Sequence, residues 1–237
     1  MNRSSSTASI VAALAGGAFA ILLFFGVVSL NALRDATDAE LLEWWSDSGH
    51  QRASLISAYL FLLSSPLFLV FVCELCNHIR PASPGTQRLP GFVFAAGIIS
   101  SALLALAGVT RGLVAQSILT TDEPIPGPDT IRFATALSQV IFGSAAVPFA
   151  AITIGAASAV ILRTGAMWRW LGWFGIAASV ITIAVTAATL RPFTLPLVLL
   201  WTLAASFALW RTRTSVVDEV QVELPSPATT HPAGAAR

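Results

Sequence analysis

Six apolar stretches, at about 9–31, 54–76, 91–113, 133–162, 169–190 and 194–210, constrain this chain more than anything else in it. Each is long enough, or nearly so, to cross a hydrocarbon core of about 30 Å, which takes roughly 20 helical residues. Backbone polar groups in lipid must pair within the segment, and these runs lack the polar/apolar alternation of a barrel strand, so they predict helices. The expected architecture is all-α: a six-transmembrane-helix bundle over residues 1–213, followed by an unstructured cytosolic tail at 214–237. Composition agrees. Hydrophobic residues make up 55% of the chain and charged residues 11%, where a water-soluble domain carries about 25% charged.

The first stretch follows Arg3 but is about twice the length of a signal-peptide core, so a retained signal-anchor helix is expected. The fourth is longer than a crossing needs and is expected to tilt or protrude. The sixth is short, and Pro192 and Pro196 suit its first turn. Pro66 and Pro148 fall inside helices and each removes a backbone hydrogen bond, which predicts kinks.

All 13 basic residues are Arg, and their distribution sets the expected orientation. With the N-terminus inside, the cytosolic segments hold Arg3, Arg80, Arg88, Arg163, Arg169, Arg211 and Arg213. The outer loops hold Arg34, Arg52, Arg132 and Arg191. Both termini are therefore expected in the cytoplasm of a bacterial cell, with the chain multi-pass in its plasma membrane. Trp44 and Trp45 at the outer side, and Trp168, Trp170, Trp173 and Trp210 at the inner, are expected to be interfacial anchors. The expected partners are the lipid bilayer and a protein partner or a second copy. A net charge of +1 argues against nucleic acid.

Thr37-Asp38-Ala39-Glu40 has the spacing of a capping box. It predicts a short amphipathic helix on the outer surface, with Leu41, Leu42 and Trp45 on one face. The loop from Thr121 to Thr130, with Pro124, Pro126 and Pro128, is expected to be extended. Small residues four apart (Gly16/Ala20, Gly97/Ser101/Ala105, Gly108/Gly112 and Ala151/Gly155/Ala159) predict close helix packing.

Three groups could carry chemistry. Cys73 and Cys76 share a helical face, with His78 nearby, so they could meet one metal or form a redox pair. Cys in an apolar helix more commonly serves as a small hydrophobe, and a structural zinc site needs four ligands. Arg111 is a charge in a span, which marks either a functional site or an end near the headgroups. Counted from Gly91, it lies about 30 Å along the helix, which favours an anchor that snorkels over a charge facing a polar cavity. Glu74 is expected to reach the cytosol or pair with Arg80. No cofactor is expected: no His lies in a span, and the nucleophile-elbow, zinc-protease and phosphate-loop motifs are missing.

Trp168-Arg169-Trp170-Leu171-Gly172-Trp173 opens the fifth span. With six helices in a chain of this length, it resembles a group of uncharacterised six-helix integral membrane proteins of high-GC bacteria, a domain of unknown function. The resemblance spans nearly the whole membrane domain and implies a membrane fold, with no activity and no functional residues. The resulting expectation is a non-enzymatic binding or accessory membrane protein. The alternatives are a small-solute transporter using Arg111 and a membrane redox or metal protein using Cys73 and Cys76.

Overall fold

The computed structural model describes residues 3–28, 36–80, 88–121, 124–189 and 195–222, with side chains over 10–28, 36–80, 88–120, 124–188 and 195–211. The described chain is all-helical: α1 (Arg3–Val28), α2 (Asp38–Ser46), α3 (Ser48–Ile79), α4 (Arg88–Thr121), α5 (Pro128–Val140), a π-helical turn (Ile141–Ala146), α6 (Val147–Thr164), α7 (Arg169–Thr189) and α8 (Leu195–Val222). Five helices are long and apolar enough to cross a membrane: Ile10–Val28, Ser48–Ile79, Arg88–Thr120, Pro128–Thr164 and Arg169–Ala188. The apolar part of α8, Leu195–Arg211, is shorter.

The long helices pack as a ring in which α1 lies against α3, α3 against α4, α4 against α6, α6 against α7, α7 against α8 and α8 back against α1. Its centre is filled by bulky side chains. Phe19, Phe61, Phe68, Phe71 and Trp201 are all buried, with Phe19 and Phe68 4.8 Å apart and Phe61 meeting Phe142 edge-on at 5.0 Å. The outward side chains are hydrocarbon too, among them Leu14, Ile21, Phe25, Phe92 and Val180. An apolar exterior around an apolar core is what a lipid-embedded bundle requires.

The small residues act within the bundle. A Cβ at Gly97 would stand 2.6 Å from Val72 Cγ1, and one at Gly108 only 3.0 Å from the backbone nitrogen of Leu62. These two positions let α3 and α4 approach backbone to backbone. Hydroxyls cross-link the helices at the same level: Ser57 Oγ donates to Gly26 O at 2.8 Å, and Ser65 Oγ to Ser101 O at 2.7 Å.

Helix ends are set locally. The Thr37 capping box is complete: Glu40 N–H reaches the Thr37 hydroxyl, and the Glu40 carboxylate accepts from Thr37 N at 2.8 Å. These hydrogen bonds hold the Glu40 carboxyl below its ordinary value. The next helix begins at once, because the Asp47 side chain accepts from Gly49 N at 2.8 Å and caps α3. Gly165, at φ 66°, ends α6 in the left-handed conformation.

Several expectations change. Helix α4 runs to Thr121, well past the expected end at 113, and α5 starts at Pro128. Arg52, in α3, and Asp129, Thr130 and Arg132, in α5, are helical instead of lying in loops, and 124–127 have no regular secondary structure. Polar residues prolong α4 by back-bonding: Ser117 Oγ donates to Val114 O at 3.0 Å, and Thr120 Oγ1 to Gln116 O at 2.5 Å. Helix α3 passes through Pro66 unbroken. Pro148, lacking an N–H, is preceded by the π-helical turn, in which the N–H of Val147 reaches back to Phe142 O. The segment from 214 is helical through Val222. Arg34, Asp35, Asp122, Glu123, Arg191, Pro192 and the tail 223–237 lie outside the described residues.

Candidate anion site between helices α2, α3, α4 and α5

Helix α2 does not lie apart from the bundle. Leu41 and Trp45 are 3% and 4% exposed and pack on Val114, Ala115 and Ile131, whereas Leu42 on their flank is 38% exposed. The helix is pinned at both ends. Arg132 on α5 pairs with Asp38 and donates from Nη2 to Ala36 O at 3.0 Å. Buried Gln51 on α3 donates from Nε2 to Trp45 O at 2.7 Å. Trp45, expected as an interfacial anchor, is covered by contacts with α4 and α5.

Beneath α2 is a cavity of about 40 Å³ lined by Trp45, Ser54, Arg111, Thr135, Ser138 and Gln139, with Val114 and Ala134 completing its wall. Four helices build it. The Arg111 guanidinium carbon lies 4.8 Å from the centre of the Phe61 ring, and its Nε is buried without a hydrogen-bond partner. The ion pairs among the described residues are His50–Asp47 and Arg132–Asp38, so no described carboxylate neutralises Arg111.

Arg111, expected as an interfacial anchor, stands ten residues before the end of α4, or about 15 Å, and its guanidinium lies over the Phe61 ring. The indole Nε1 of Trp45, on the same cavity, is also buried without a partner. Sequence reasoning singled out Trp45 as an anchor and missed it, together with Ser54, Thr135, Ser138 and Gln139, as cavity residues. No local pattern marks residues gathered from four helices.

The remaining site residues lie elsewhere. Cys73 is half-buried and Cys76 buried, both as free thiols, and Cys76 Sγ contacts Pro90 O at 3.6 Å. Among the described residues no three His, Cys, Asp or Glu side chains, His78 included, come together as metal ligands do. Trp168, Trp170, Trp173 and Trp210 are exposed at the opposite end of the bundle from α2. There Trp168 stacks near Trp170 at 6.1 Å, and Arg211 lies 5.7 Å over the Trp168 ring. Trp44 stacks on His50 at 4.5 Å.

Beneath the cavity, the Phe61–Phe142 contact separates Arg111 from the bundle centre, where a void of about 20 Å³ is lined mainly by hydrocarbon and by Ser100. Ser100 Oγ donates to Ala146 O at 3.0 Å, fastening the π-helical turn to α4.

Comparison with known proteins gives no match: no family model fits the chain, and no curated protein and no solved structure is similar to it.

Proposed function

We propose that this chain is a six-span bacterial plasma-membrane protein, with both termini cytoplasmic, that binds a small anionic ligand at Arg111 from the outer side without catalysing a reaction. The observation that carries the reading is the Nε of Arg111, buried without a hydrogen-bond partner in a side chain that no described carboxylate neutralises. Arg stays protonated in any protein environment, and an uncompensated buried charge costs several kcal/mol. A site that retains such a charge beside a polar cavity has the makings of a receptor for its counter-ion. The Arg distribution supports the orientation, and Leu195–Arg211 supplies the sixth crossing by tilting little.

A thermal-shift screen of the purified protein against anions, lipids and divalent metals tests this. A ligand at a hundredfold excess over its Kd adds about 2.7 kcal/mol, so an anion should raise the melting temperature of the wild type and leave Arg111→Gln unmoved. Equal shifts in both proteins, or no anion shift at all, would overturn the reading. A shift by metals that vanishes in a Cys73→Ala/Cys76→Ala variant would favour the metal alternative instead. A reporter fused after residue 213 checks the C-terminal orientation.

A transport reading gains support from one feature, the π-helical turn directly below the cavity, since such turns concentrate at functional sites. It requires Phe61 and Phe142 to part. Under it, Phe61→Ala would raise anion flux into proteoliposomes. Unchanged flux would leave binding alone.

A further inference from the structure

Resting on the anion-binding reading above, we infer that the ligand is a single monovalent anion, held jointly by the Arg111 guanidinium and the Trp45 indole N–H. Two independent properties of the cavity converge on this class.

The first is the donor and acceptor balance. Arg and Trp carry only donors, and on this one cavity each has a buried N–H without a partner, Arg111 Nε and Trp45 Nε1. The two nearest hydroxyls on α5 have already committed their protons, Ser138 Oγ to Ala107 O and Thr135 Oγ1 to Ile131 O, each at 2.9 Å. They offer lone pairs, which repel an anion and confine it to the Arg111–Trp45 side. A buried donor left unmade costs about 1–3 kcal/mol, so two donors facing one small space favour an acceptor there.

The second is charge. One guanidinium compensates one negative charge, and a divalent ion would leave an uncompensated unit in a low-dielectric site. Halide and planar oxyanion share this chemistry. They differ in shape, and the planar oxyanion alone matches the two-pronged guanidinium edge.

Because Trp45 belongs to α2 and Arg111 to α4, the bound anion also ties the surface helix to the bundle.

The test uses the full-length protein in nanodiscs, in a buffer whose only anion is gluconate, titrated at constant ionic strength with sodium chloride, nitrate, formate and sulfate. Isothermal titration should give saturable 1:1 binding of at least one monovalent ion and none of sulfate. Trp45→Phe, which keeps an aromatic ring and removes the N–H, should weaken binding at least tenfold, and Arg111→Gln should abolish it. Nitrate and formate binding more tightly than chloride identifies the planar class; the reverse identifies the halide. Amide exchange over 38–46 should slow when the ion is added. Sulfate binding that depends on Arg111 would overturn the charge assignment while leaving the anion-binding function in place. Full affinity in Trp45→Phe would overturn the shared site. No Arg111-dependent binding of any anion would overturn both readings.

Discussion

Replacing Arg111 with Met should make the anion-free protein more stable, an unusual direction for a substitution at a packed helix interface. Arg111 Nε is buried without a hydrogen-bond partner, and no described carboxylate offers the side chain a counter-charge, which costs several kcal/mol. Against this stands its contact with the Phe61 ring at 4.8 Å, worth about 0.5–2 kcal/mol. Met has similar reach, fills the same volume with hydrocarbon and sulfur, and keeps a favourable contact with the ring. The net expectation is a gain of about 1–3 kcal/mol in gluconate buffer. Saturating anion reverses the comparison, because it adds about 2.7 kcal/mol to the wild type at a hundredfold excess over Kd and nothing to the variant. Reversible unfolding in mixed micelles, followed across an anion titration, should therefore give two stability curves that converge or cross. A Met variant that is less stable than wild type without anion would refute the reasoning, since it would mean that Arg111 is satisfied within the protein.

Four further outcomes are expected. Thr37→Ala removes the capping box and should cost about 1 kcal/mol, with faster amide exchange confined to 38–46. The Glu40 carboxyl is held below its ordinary 4.5, so its support of α2 is fully present above that value and is lost as pH falls through the lowered one. Amide exchange in α2 should accordingly be flat above about pH 5 and accelerate in acid; acceleration beginning near neutrality would refute the role given to Glu40. Gly108→Val places its side chain against the α3 backbone and should destabilise by about 1–3 kcal/mol, whereas Gly17→Ala meets nothing within 4 Å and should be neutral or slightly stabilising in chemical unfolding. Arg132→Ala breaks an exposed pair and should change global stability by less than about 1 kcal/mol, while exchange in α2 rises.

What the sequence made legible follows from how local each determinant is. The apolar runs could be read because bilayer thickness fixes a length that hydropathy reveals directly. The capping box could be read because Thr37 and Glu40 are three residues apart. The end of α4 could not, because Ser117 and Thr120 look like loop residues by polarity and yet return their hydroxyls to the helix's own carbonyls. That misplaced end concealed how Arg111 sits against Phe61. Trp45 misled for a different reason: a tryptophan on an amphipathic helix suits lipid and protein equally well, and only Val114, Ala115 and Ile131, brought close by the fold, decide between them. The π-helical turn required knowing that Ser100, from another helix, would be there to donate its hydroxyl to Ala146 O.

That turn also fixes an alignment. A π-helical turn is an α-helix carrying one surplus residue, and each α-helical residue turns the chain by about 100°. Deleting one residue between Ile141 and Ala146 would let the segment relax to uninterrupted α-helix, and α5 would rotate by about that angle relative to α6. Thr135 and Ser138 would swing off the cavity wall and Ile131 off Trp45, while α6 kept its place against α7. The surplus residue acts as a phase shifter, allowing one continuous span to present one face to the ring and a different one to the cap.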